Sequence, residues 1–115
     1  MKIKSFNEGL KFDSKQVQTK VIIETPFSKE IGILLKAGQL MKEHKAPYPI
    51  LIHLLDGTIE LGVQGKVMLM NTGDIITLEE GILHDLVAQT DSSIRLTLSK
   101  LDSVDRLKEV VERED

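Results

Sequence analysis

Three histidines, His44, His53 and His84, are the side chains here best suited to acid–base or ligand chemistry near neutral pH. An unperturbed imidazole changes charge in that range and offers a nitrogen lone pair to a metal. No cysteine accompanies them, which excludes disulfide scaffolding, thiolate catalysis and zinc–cysteine centres. His44 closes Gly38-Gln39-Leu40-Met41-Lys42-Glu43-His44, and His84 closes Gly81-Ile82-Leu83-His84. Two imidazoles facing one aliphatic cavity can bind a carboxylate or an enol, or shuttle a proton. The competing reading is a pair bonded to each other or to water, with no ligand. His53 alternates with Ile50, Ile52 and Leu54 and is expected to face outward as an interface or core histidine. Lys42 shares the alternation of His44 and is placed either at the cavity mouth or in solvent. Tyr48, the only tyrosine, stands between Pro47 and Pro49 and reads as a rim residue or a loop anchor. Met41, Met68 and Met70 read as core packing that can also line an adaptable apolar pocket.

The elements that must position these residues are short strands. Val17 to Glu24 is β-branched and ends at Thr25-Pro26, where proline removes a donor. Ile31 to Lys36 is stopped by Ala37-Gly38-Gln39, and Pro47 and Pro49 interrupt the chain before Ile50 to Leu55. Asp56-Gly57 is the strongest hairpin signal, with Thr58 to Val63 as the partner strand presenting Ile59, Leu61 and Val63 on one face. Lys66 to Met70, Ile75 to Leu78, His84 to Thr90 and Ser93 to Ser99 complete the set, separated by turns at Gln64-Gly65 and Asn71-Thr72-Gly73. Such spacing predicts an all-β sandwich or barrel. Both faces of Ile50 to Leu55 are largely apolar, so both are expected to be covered, the outer one by another sheet, the N-terminal segment or a second subunit. Beyond the strands, Val104, Leu107, Val110 and Val111 fall at helical spacing, predicting a short α-helix over about 102–114 with Asp102 as N-cap. It reads as a cap over a barrel edge, or as a dimerisation or lid element.

With that order laid out, two stretches, Gly38 to Gly57 and Gly73 to Ala88, together resemble the paired motifs of the cupin superfamily. The first family motif runs from a glycine through a His-x-His pair and a glutamate to a closing glycine. The second runs from a glycine through Pro-x-Gly and a histidine to an asparagine. His44 stands at the first ligand position and His84 at the last, whereas Ala46, Ile50, Glu79 and Ala88 replace the second histidine, the glutamate, the proline and the asparagine. The resemblance implies a double-stranded β-helix, or jelly-roll barrel of the RmlC-like kind, as one domain over 1–115 with its core over about 17–100. It also implies a degenerate metal motif. The metal ligands it leaves are His44 and His84, and the pocket residues are His44, Ala46, Ile50, Ile52, His84 and Leu86. Catalytic cupin metals take at least a third protein ligand, so the expected cofactor is none, or a weakly bound divalent Zn, Ni, Fe or Mn ion. Glu43 and Asp85 adjoin the histidines, but adjacent strand residues face opposite ways unless a bulge intervenes.

Composition narrows the function classes. The chain has 115 residues, 41% hydrophobic and 29% charged, a net charge of -3 and only 3% aromatics. It is long enough for one core. Acidity and scarce aromatics argue against nucleic-acid platforms and anionic membranes as partners. No leader-like or membrane-spanning apolar run is present, so a cytoplasmic protein is expected. The leading functional reading is a small-molecule-binding or sensory barrel. It is expected to work as a homodimer, because a second subunit would cover the apolar outer face. The alternative is a metal-dependent dioxygenase or isomerase with an incomplete ligand set, and a third reading is an assembly role with a filled interior.

Overall fold

The computed structural model describes residues 1–100. The helix expected over 102–114 lies outside them. Nine strands are present among the described residues: β1 (Gln18–Glu24), β2 (Ser28–Leu35), β3 (Leu40–His44), β4 (Ile50–Asp56), β5 (Thr58–Val63), β6 (Lys66–Asn71), β7 (Ile75–Leu78), β8 (His84–Ala88) and β9 (Ser92–Ser99). They form a five-stranded sheet, β1-β2-β9-β4-β7, and a four-stranded sheet, β3-β8-β5-β6. Every pairing is antiparallel. This is the all-β jelly-roll expected from the strand pattern.

Alternation decides which side chains face inward. Ile33, Leu35, Ile50, Ile52, Leu54 and Ile94 of one sheet meet Ile59, Leu61, Met70, Leu86 and Ala88 of the other in a single cluster. Leu35, Leu54, Ile59 and Leu61 are completely buried. Each such side chain contributes roughly 1.5–3 kcal/mol of burial free energy.

Asp56-Gly57 does not close the expected hairpin. β4 pairs with β7 and β9, while β5 pairs with β6 and β8, so the chain crosses between sheets at Gly57. Gly57 has φ 109°, and a Cβ there would lie 2.7 Å from Asp91 O and 2.8 Å from Ser92 Cα. Glycine is needed for close approach at a sheet crossing. The two-residue hairpin instead joins β5 to β6, where Val63 pairs with Lys66 and both Gln64 and Gly65 have positive φ. That is the backbone geometry that matches strand twist.

The outer face of β4 also departs from expectation. His53 and Leu55 are half-buried there, and Leu51 is 37% exposed. The N-terminal segment reaches the sheet further along, where the side chains of Leu10 and Ile22 both lie over Gly32 of β2. On β2, Glu30 is buried and its Oε1 accepts a hydrogen bond from Arg95 Nε at 2.8 Å and another from Thr97 Oγ1. Burial pushes its carboxyl up, but the hydrogen bonds from Ser28, Thr97 and Arg95 together outweigh that and hold it below the ordinary value. Among the described residues no helix is long and apolar enough to cross a membrane.

Candidate functional site

The two motif histidines meet. β3 is an edge strand, and its pairing with β8 slips between Met41↔Leu86 and His44↔His84. Lys42 and Glu43 therefore oppose Asp85 alone, which is a β-bulge. The bulge cancels the parity difference between positions 41 and 44, so Met41 and His44 both turn inward, opposite the buried Leu86 and His84. Lys42 and Glu43 are exposed. The alternation that placed Lys42 with His44 is broken at this point, and Met41 takes its place.

The imidazole centroids of His44 and His84 lie 4.3 Å apart with the rings tilted by 58°. His84 is 3% exposed, whereas His44 reaches solvent. His44 Nδ1–H donates to Lys42 O at 2.7 Å, and His84 Nδ1–H donates to Ile82 O at 3.0 Å. A carbonyl oxygen can only accept, so these bonds put the proton on Nδ1 and leave Nε2 of each neutral ring with its lone pair. Both rings line a cavity of about 20 Å³ together with Ile33, Met41, Ile52, Leu86, Ile94 and Leu96. That volume holds one water or one ion, and no organic ligand.

The donors do not fit a divalent catalytic metal. Among the described residues no three His, Cys, Asp or Glu side chains converge. Glu43 is exposed, and the Asp85 carboxylate lies over Gly62 on the outer face, where a Cβ would sit 3.1 Å from its Cγ. Two imidazoles in an aliphatic cavity of this size offer neither a carboxylate nor room for the waters that would complete an octahedral or tetrahedral shell.

The larger space lies at the barrel mouth. A groove of about 400 Å³ is lined by Lys29, Ala46, Pro47, Tyr48, Ile50, Leu98, Ser99 and Lys100. Of the six residues expected to share one pocket, Ala46 and Ile50 line this groove, while His44, Ile52, His84 and Leu86 surround the inner cavity. The two spaces follow one another along the inward face. Lys29, Leu98 and Ile50 form one cross-strand row, and Ile31, Leu96 and Ile52 form the next one inward.

Lys29 escapes a sequence reading that starts the strand at Ile31. The run Lys29-x-Ile31-x-Ile33-x-Leu35 carries the signal: period-two alternation places a lysine on the interior face. Lys100 beside it is partnered by Glu24, Nζ to Oε1 at 2.7 Å, and that bond with its charge holds the Glu24 carboxyl low. Lys29 makes no ion pair among the described residues. Tyr48 sits on the groove rim, 38% exposed.

Comparison with known proteins agrees with this architecture. A family model described as a cupin domain matches residues 33–100, more than half of the chain. No curated protein matches it. An RmlC-like cupin from Desulfovibrio desulfuricans superimposes with a TM-score of 0.77 at 24% identity, over 86% of this chain and 96% of that one. The TT1209 protein from Thermus thermophilus superimposes with a TM-score of 0.76 at 16% identity, over 86% and 98%. A conserved protein of unknown function from Streptococcus pyogenes gives 0.74 at 19% identity, over 86% and 87%. At these identities the likenesses speak to fold alone, and with the family match they lead to one conclusion: the chain belongs to the cupin family.

Proposed function

We propose that this cupin is a small-molecule-binding barrel whose ligand is a small amphipathic anion held in the mouth groove. The observation that carries the reading is Lys29, an inward-facing cation that forms no direct ion pair among the described residues, the Glu24 carboxylate opposite it in the β1–β2 register being bonded to Lys100, and that stands beside the apolar Ala46, Ile50 and Leu98. About 400 Å³ lies within the range of small-ligand sites. An aliphatic body displaces water from Ile50 and Leu98, and an anionic head meets the Lys29 ammonium at the rim. Tyr48, carried between two prolines on an exposed loop, supplies a flat apolar wall with a polar tip. The inner cavity beside the histidines is too small for the same ligand.

Titration calorimetry with straight-chain carboxylates tests this reading. Each added methylene buried in the groove contributes about 0.8 kcal/mol, so octanoate is expected to bind more tightly than hexanoate by an order of magnitude. Lys29→Met keeps the stem and removes the charge. It is expected to weaken octanoate binding by about 1.5 kcal/mol, roughly tenfold, because a charge-assisted bond is lost, while thermal stability stays unchanged. Chain-length-independent binding, or a Lys29→Met variant with unaltered affinity, contradicts the proposal.

A further inference from the structure

We propose that β6 is a self-pairing edge: two copies of this chain join their β6 strands, antiparallel about a two-fold axis at Met68, and fuse their four-stranded sheets into one. None of the residues that line the mouth groove lies on β6, so the inference stands apart from ligand binding.

Among the described residues the two sheets end in β1 and β7 on one side of the molecule's fold and in β3 and β6 on the other. An open edge offers unpaired N–H and C=O groups to another chain, and proteins blunt such edges with bulges, charges or very short strands. Three of these edges are blunted in that way. β1 slips register between Val21 and Ile23, β3 carries its bulge with exposed Lys42 and Glu43, and β7 has only four residues. β6 is different. It runs six residues in unbroken register against β5, with no proline and no charge after Lys66. Its Val67 and Leu69 side chains are 72% and 56% exposed.

The backbone fixes which groups are free. Thr58 O accepts from Gln89 N on the β8 side, so by alternation Ile59, Leu61 and Val63 turn their N–H and C=O groups toward β6. Their partners there are Met70, Met68 and Lys66. Val67, Leu69 and Asn71 point the other way, to the edge. Asn71 is already used: its N–H donates to Asp74 Oδ2 at 2.8 Å, and its C=O accepts from Asp74 N at 2.9 Å. Val67 and Leu69 remain, and a second β6 satisfies both in one register. Val67 stands opposite Leu69 of the second copy and Leu69 opposite Val67 of the second copy, each exchanging a pair of N–H···O bonds. The contact is closed by its own symmetry, which favours a second copy as the occupant. It also sets Val67 against Leu69 as an apolar cross-strand pair on the outer face. Lys66 falls opposite Met70 of the second copy, whereas a parallel arrangement would stack the two lysines. The contact is small, so the dimer belongs with the weak, concentration-dependent associations.

Sedimentation velocity of the untagged full chain over about 1 μM to 1 mM, with amide hydrogen exchange read residue by residue, tests the proposal. The wild type is expected to pass from monomer to dimer across that range. Exchange at Val67 and Leu69 is expected to slow about tenfold as pairing nears completion, while Met68 and Met70, already bonded to β5, change little. Leu69→Lys, at an exposed position, is expected to keep the chain monomeric throughout with an unchanged circular dichroism spectrum. Leu51→Lys, on the outer face of β4, is expected to leave the dimer intact. Should the Leu69→Lys chain not fold, the wild-type exchange pattern alone decides. Three results overturn the inference: a wild type that stays monomeric, Val67 and Leu69 amides whose exchange does not depend on concentration, or a dimer lost in Leu51→Lys and kept in Leu69→Lys.

Discussion

Replacing Glu30 by Gln removes one charge from the outer face of the five-stranded sheet while keeping the side chain's size. In the native protein Glu30 is 6% exposed and its Oε1 takes hydrogen bonds from Arg95 Nε, at 2.8 Å, and from Thr97 Oγ1. Hydrogen bonds to a charged group contribute about 1.5–3 kcal/mol. The Arg95 side chain is 43% exposed, so solvent screens the Coulombic part and the lower end of that range applies. The expected loss at pH 7 is about 1.5 kcal/mol. Its pH dependence follows from the depressed carboxyl of Glu30. A group whose pKa is lower folded than unfolded stabilises the fold above its unfolded value, near 4.5, and loses that contribution as pH falls through the folded value. Urea unfolding of wild type and Glu30→Gln, run in steps from pH 7 to pH 3, should show the two stabilities converging on the acid side. A gap that stays constant down to pH 3, or no gap at pH 7, would refute the reasoning.

Other substitutions probe the frame around the site. Gly57→Ala places a Cβ against Asp91 O and Ser92 Cα at a φ of 109°, and strain plus overpacking should lower stability by about 3 kcal/mol in chemical denaturation. Leu54→Ala empties part of a completely buried site and should cost about 2–5 kcal/mol, read as a lower urea midpoint with an unchanged slope.

Much of the barrel was legible because its signals are local. Ile59, Leu61 and Val63 alternate, and β5 and β7 begin and end where their turn residues predict. Asp56-Gly57 misled because a hairpin signal and a sheet crossing ask for the same backbone freedom; only the partners chosen by β4 and β5 separate them. The pairing of His44 with His84 followed from a resemblance between spaced motifs. Their companion did not, since the bulge that turns Met41 inward depends on how β3 registers against β8, a contact between distant parts of the chain. Lys29 was readable in principle from its alternation with Ile31, Ile33 and Leu35, and was hidden by starting the strand at the first apolar residue. The division of the expected pocket into a tight inner cavity and an open mouth is a matter of side-chain volume in three dimensions, which spacing along a chain does not encode.

The mouth groove, rather than the histidine cavity, is the proposed seat of the organic ligand. Chemical-shift mapping of the amide resonances during titration with octanoate tests that claim most directly. Saturable shifts are expected at Lys29, Ala46, Tyr48, Ile50 and Leu98, with those of His84 and Leu86 unmoved. Shifts centred on His44, His84 and Leu86, or none at all at millimolar octanoate, would contradict it.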